Sequence, residues 1–82
     1  MVNVSYDDIF KKKFSKVKDN SSKEKIKKQI RKIINSPEMG KPMRYDRKGT
    51  RELYIAPYRL SYLYIEDRDE VVFLDLYHKD LQ

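Results

Sequence analysis

Gly49-Thr50-Arg51-Glu52-Leu53-Tyr54-Ile55-Ala56-Pro57-Tyr58-Arg59-Leu60-Ser61-Tyr62-Leu63-Tyr64 is the stretch around which the chain is arranged. Two alternating runs, Arg51–Ile55 and Tyr58–Ile65, flank Ala56-Pro57, the pattern of a β-hairpin with a two-residue connection. The favoured two-residue turns need positive φ, whereas Pro57 fixes φ near about −65°, which leaves a wider corner open. On the two-residue register Ile55 faces Tyr58, Leu53 faces Leu60 and Tyr54 faces Arg59. The first two pairs then share one face and the third lies on the other. An arginine held among tyrosines on a sheet is building either a site or a salt bridge.

Working outward towards the C-terminus, a charged turn at Glu66–Glu70 precedes a last strand from Val71 to about Tyr77. There Val72, Leu74 and Leu76 alternate with Phe73, Asp75 and Tyr77. Pairing Ile65 with Val71 sets Arg59 opposite Tyr77 and Leu60 opposite Leu76, so Tyr54, Arg59 and Tyr77 form a cross-strand row. A one-residue slip would abolish it. Tyr58 and Tyr62 alternate with Leu60 onto the core face.

Towards the N-terminus, residues 40–49 form the long irregular segment, with both glycines and a cluster of cations. Before it come two basic amphipathic patterns. Ile9, Phe10, Phe14 and Val17 fall on one face of a helix capped by Ser5 or Asp7. Ile26, Ile30, Ile33 and Ile34 do so in a second helix, opened by a capping box at Ser21-Ser22-Lys23-Glu24 and closed at Asn35-Ser36-Pro37. Val2–Ser5 is short and β-branched, a strand. The expected fold is α+β, β-α-α-β-β-β, with a two-helix hairpin packed on one antiparallel sheet.

Eighty-two residues make one domain, residues 1–82, with no room for a second core. Such a domain buries about 60–65% of its unfolded surface, so a partner adds useful stability. The net charge of +6 favours a polyanionic partner. With no cysteine, disulfides, thiolate zinc sites and a cysteine nucleophile are excluded. No paired-carboxylate site, glycine-rich phosphate loop or metal cluster is visible, so neither a metal nor another cofactor is expected. The N-terminus lacks a signal-peptide core and no apolar run reaches the roughly 18 residues of a membrane span, which points to the cytoplasm and to no membrane role.

Four segments in order resemble the RelE/ParE superfamily of toxins from type II toxin–antitoxin pairs. They are Asn35-Ser36-Pro37-Glu38-Met39-Gly40-Lys41-Pro42-Met43-Arg44, Lys48-Gly49-Thr50-Arg51-Glu52-Leu53, Tyr58-Arg59-Leu60-Ser61-Tyr62 and Tyr77-His78-Lys79-Asp80. The resemblance spans nearly the whole chain and is strongest to RelE-like and YoeB-like members. Those cut messenger RNA on the ribosome by attack of a ribose 2′-OH on the adjacent phosphate, a reaction that needs cations and groups to move two protons. ParE-like members poison DNA gyrase. Both are held inactive by an antitoxin with an acidic tail.

What the resemblance implies is a metal-independent, ribosome-dependent mRNA endoribonuclease. Arg59 matches the sheet arginine that contacts the scissile phosphate, with Arg44 and Lys79 beside it; Lys79 keeps the charge of a usual arginine without its fork. His78, the lone histidine, matches a general acid or base, and Tyr54, which departs from the family pattern, is the alternative proton carrier. By strict alternation His78 points to the Leu76 face and reaches the site only if the strand ends or bulges there. Arg44, Arg47, Lys48 and Arg51 fit a loop that tracks RNA backbone, or else a solvated basic loop. Tyr54 and Tyr77 are open to base stacking. The expected partners are a cognate acidic-tailed antitoxin, the ribosome and mRNA, with no small-molecule cofactor. Glu52 and Tyr54 occupy positions that are often basic in relatives. They motivate two alternatives, a gyrase inhibitor and a non-enzymatic RNA- or partner-binding module. The bland fate of Arg59 is a salt bridge to Glu52 or Asp75.

Overall fold

A computed structural model of the protein describes residues 2–43 and 49–81. Its elements are β1 (Asn3–Tyr6), α1 (Asp8–Ser15), α2 (Asn20–Asn35), β2 (Lys41–Pro42), β3 (Thr50–Ile55), β4 (Tyr58–Ile65) and β5 (Glu70–His78). The strands form one sheet in the order β1-β5-β4-β3-β2. Both helices pack on one face of it, as the alternation predicts.

The central hairpin has the expected register, with Ile55 opposite Tyr58, Leu53 opposite Leu60 and Tyr54 opposite Arg59. The corner is no wider than Ala56-Pro57, and the peptide bond between those residues is cis, the arrangement of a type VI turn. The sheet is not wholly antiparallel. β1 runs parallel to β5, from Asn3 opposite Glu70 to Tyr6 opposite Phe73. No tight turn joins these two strands, so hairpin geometry does not dictate their direction. The two-residue β2 was also not anticipated. It pairs Lys41 with Glu52 and Pro42 with Arg51 at the sheet edge, where a proline is tolerated because one side of the strand needs no donor.

Each helix starts on an aspartate. The Asp7 carboxylate accepts from the Ile9 N–H at 2.9 Å. The Asp19 carboxylate accepts from the Ser21 N–H at 3.2 Å and the Ser22 hydroxyl at 2.9 Å. α2 therefore opens ahead of the Ser21–Glu24 box, because a charged acceptor at Asp19 captures the orphan donors first. Those bonds, led by the one from Ser22, hold the Asp19 carboxyl below its ordinary range. A depressed carboxyl stabilises the fold above its unfolded pKa and loses that contribution as pH falls through the lowered folded value. Asp19→Ala should therefore show a shallower loss of melting temperature on acidification than the wild type, measured by circular dichroism between neutral pH and about pH 2.

Phe10, Val17, Ile26, Ile30, Ile33, Ile55, Leu60, Tyr62, Val71, Phe73 and Leu76 form the buried core, and no polar or charged residue is buried with them among the described residues apart from the tyrosine hydroxyl. Ile9, expected on the buried stripe, is 55% exposed. On β5 the inward positions are Val71, Phe73 and then Leu76, not Val72, Leu74 and Leu76. A register shift beside Ser61 and Tyr62 explains this: Ile65 pairs with Glu70 and Tyr62 with Phe73, yet Ser61 pairs with Asp75. Leu74 is the extra residue of a β-bulge, which re-phases the strand. Beyond it Leu60 faces Leu76 and Arg59 faces Tyr77. The expected row is in place through a bulge that restores its register.

Behind β4, one buried phenol fixes the segment leading to the cationic loop. Tyr62 Oη accepts from the Gly40 N–H and donates to the Pro37 carbonyl, both at 2.8 Å. Burial pushes this phenol's pKa up, against the pull of the Gly40 N–H. A Cβ on Gly40 would lie 2.5 Å from the same oxygen, so glycine is required there by close approach. Tyr62→Phe leaves two backbone groups unpaired and should destabilise the fold by about 1–3 kcal/mol. Gly40→Ala should cost a similar amount, about 1–3 kcal/mol, by overpacking. Denaturant unfolding of the two variants checks both values, and wild-type midpoints would contradict the clamp.

Candidate active site

The sheet face away from the helices carries the polar row. Arg59 lies between Tyr54 and Tyr77 in the pairing. Its guanidinium sits 5.7 Å from the centre of the Tyr54 ring, and the Lys79 ammonium sits 5.9 Å from the same ring. The Tyr54 side is 51% exposed, so an aromatic surface flanked by two cations faces solvent. The Lys79 N–H donates to the Pro57 carbonyl at 3.0 Å, which ties the end of β5 to the hairpin corner and brings Lys79 over Tyr54.

Glu52 ties the row together. Its Oε1 accepts from Arg59 Nη1 at 2.9 Å and its Oε2 accepts from the Tyr77 hydroxyl. The Arg59 side chain is 38% exposed and that of Glu52 13%. Arg59 Nε is buried and has no hydrogen-bond partner among the described residues. The salt-bridge outcome foreseen for Arg59 is thus realised with Glu52. Asp75 pairs instead with Lys13 at 3.0 Å. Glu52, Arg59, Ser61, Asp75 and Tyr77 line an open groove of about 940 Å³, with Ile9 and Lys13 of α1 along its side. This explains the exposure of Ile9, which borders the groove and not the core.

The predicted residues divide into three groups. Arg59, Tyr54, Tyr77 and Lys79 come together on this face. Arg44, Arg47 and Lys48 lie outside the described residues. Arg51 and His78 are placed elsewhere. Arg51 pairs with Tyr62 on the helix side of β3, and its Nη1 donates to the Glu38 and Gly40 carbonyls, each at 2.8 Å. Its position, one residue from Glu52 on an alternating strand, makes it a clamp on the 37–40 turn and removes it from the groove.

His78 pairs with Tyr58, two places from Leu76, and no bulge intervenes to turn it over. Its ring meets Tyr58 edge-on at 5.6 Å. Its Nδ1 accepts from the Asp80 N–H at 3.3 Å. It borders a second cavity of about 660 Å³, which shares Lys13 and Tyr77 with the groove and is lined also by Lys16 and Val17. It does not join Arg59. Glu52 is the residue that sequence reasoning undervalued. It lies on the same face as Tyr54, two residues earlier, and that spacing was the available signal.

A family model described as the ParE toxin of the type II toxin–antitoxin system parDE matches residues 4–80. No curated protein sequence matches significantly. Among solved structures, the chain is similar to isolated RelE toxin of Escherichia coli, with a TM-score of 0.79 and 20% identity over 95% of this chain and 84% of that one. It is similar to a chain of the RelBE2 toxin–antitoxin complex of Mycobacterium tuberculosis, with a TM-score of 0.79 and 22% identity over 95% and 98%. A YoeB/ParE toxin from Agrobacterium tumefaciens gives a TM-score of 0.80 at 17% identity over 94% and 98%. These likenesses establish the shared fold, and the family match runs through every strand and both helices from β1 to the end of β5. The chain belongs to the ParE family of toxins from type II toxin–antitoxin systems, built on the RelE/ParE fold.

Proposed function

We infer that the chain is a ribosome-dependent mRNA endoribonuclease whose outer sheet face holds the RNA. The observation that carries this reading is the exposed Tyr54 ring flanked by Arg59 and Lys79. A base stacks on such a ring while the cations take the adjoining phosphate. Arg59 and Lys79 then stabilise the negative charge that grows as the 2′-oxygen attacks phosphorus. Arg44, Arg47 and Lys48, which lie in sequence between β2 and β3, would extend the phosphate contacts. An antitoxin with an acidic tail opposes the net charge of +6, and the ribosome and its message place the working protein in the cytoplasm.

The test is induction of the chain in a bacterial host, with primer extension on a reporter message. Growth arrest with discrete cuts inside the reading frame is the expected result. Arrest with intact message overturns the nuclease assignment. RNA binding supplies a second check. Lys79→Ala should weaken binding of a short RNA and lower the slope of log affinity against log salt by about one phosphate contact. An unchanged slope would remove Lys79 from the interface.

A second reading, inhibition of DNA gyrase, is favoured by one observation. Arg59 already spends a donor on Glu52, within a groove that Asp75 and Asp7 also line. Inhibition of gyrase supercoiling by the purified chain, unaffected by Arg59→Ala, would establish that reading in place of the first.

A further inference from the structure

We propose that Glu52 is the proton acceptor of the cleavage reaction, taking the proton of the attacking ribose 2′-OH while Arg59 holds the phosphate. The proposal rests on the nuclease reading above and adds a group that the motif resemblance supplies no role for. Three observations carry it. Glu52 lines the groove, its two oxygens each accept one hydrogen bond, and its neighbour on one side is the arginine of the site. A carboxylate has about four lone-pair sites, so two protein bonds leave room for a third donor. A guanidinium has five N–H donors, and Arg59 gives one of them to Glu52. One side chain can therefore fix the base and the phosphate together, which is how a positioned pair gains its advantage over free reactants.

Register supplies the direction. Glu52 pairs with Ser61, and Ser61 with Asp75; Tyr54 pairs with Arg59, and Arg59 with Tyr77. Glu52 thus lies one same-face row before the arginine, a step of about 7 Å along the strand. Lys79 follows Tyr77 on the opposite side, over the Tyr54 ring. A phosphate on Arg59 has a carboxylate on one flank and an ammonium on the other, as an in-line displacement requires. The 2′-O–H bond breaks and its proton passes to Glu52. The 2′-oxygen forms a bond to phosphorus, and the bond from phosphorus to the 5′-oxygen breaks. The leaving oxygen keeps the electron pair and takes a proton from the Lys79 ammonium. The products are a 2′,3′-cyclic phosphate and a 5′-hydroxyl, and water resets both groups.

The experiment is single-turnover cleavage of a defined message on programmed ribosomes by wild type, Glu52→Gln and Glu52→Asp, with RNA affinity measured in parallel. Glu52→Gln keeps the shape and the acceptor oxygen but loses the base. It should lower the rate by about 100-fold or more while RNA affinity stays level or tightens. If the glutamine variant fails to fold, Glu52→Asp reads the same group. Its carboxylate is withdrawn by one methylene, and its rate should fall by about tenfold or more. Rates for either folded variant within about threefold of wild type would overturn the proposal and leave the nuclease reading intact. A faster Glu52→Gln enzyme would overturn it too, by showing that the carboxylate merely occupies the phosphate's place. A wild-type chain that leaves the message whole overturns both.

Discussion

Arg59→Ala should abolish growth arrest and lower message cleavage by about 100- to 1,000-fold, the loss expected when one preorganised donor is taken from a developing oxyanion. The side chain lies at the centre of the row, contacts Glu52 at 2.9 Å and sets its guanidinium 5.7 Å from the centre of the Tyr54 ring. Its loss would take away the proposed phosphate contact and also free Glu52 and Tyr54 from their common neighbour. The pair is partly exposed, so screening keeps the cost to folding to about 1 kcal/mol. The variant should therefore be folded and inert. Arg59→Lys separates charge from geometry, because an ammonium cannot grip carboxylate and phosphate with one planar fork. It should fall between alanine and wild type. Arrest and cleavage undiminished in Arg59→Ala, at equal expression, would remove this face from the function.

Phe73→Ala should have the largest effect on stability. Phe73 is fully buried and meets Tyr6, Phe10 and Tyr62 at ring separations of 5.3, 5.9 and 6.0 Å. These contacts join β1 and α1 to the central strands, so the ring is shared by both ends of the chain. Truncating a buried phenylalanine costs about 3–5 kcal/mol. A domain of this size has only about 5–15 kcal/mol in total. The melting temperature should drop by roughly 15–30 °C, and toxicity should fail with it. Thermal unfolding by circular dichroism checks this, and a shift under about 5 °C would contradict the packing described. Phe73→Ala and Arg59→Ala then lose function for separable reasons, the first through lost stability and the second with its stability nearly intact.

The hairpin of β3 and β4 was legible because its two runs alternate cleanly and a single Ala-Pro corner fixes their register. The helices were legible from their isoleucine and phenylalanine spacing, although Ile9 shows that periodicity cannot tell a core stripe from the rim of a groove. The parallel pairing of β1 with β5 left no local signal, since strands so distant in sequence carry no turn to report their direction. The bulge was hidden for a different reason. Val71, Val72, Phe73 and Leu74 are all apolar, so either phase of β5 reads as amphipathic.

The site followed the same division. Tyr54, Arg59 and Tyr77 came from strand register, and Lys79 from the resemblance. Arg51 was misplaced because a basic residue beside a basic loop looks like part of it; alternation sends it to the far face, where two carbonyls take its donors. His78 failed to reach the row for the reason alternation gives. In sequence Glu52 reads as a missing cation, whereas its geometry makes it the carboxylate that joins Arg59 to Tyr77.

The most direct test of the central claim, that the outer sheet face cuts RNA, is a reaction of purified chain with ribosomes translating a defined message, with a cleaving RelE relative as control. The fragment ends are then mapped and their chemistry determined. Cuts within the reading frame that leave a 2′,3′-cyclic phosphate and a 5′-hydroxyl, absent with Arg59→Ala, are the predicted result. Intact message where the relative cleaves would contradict it.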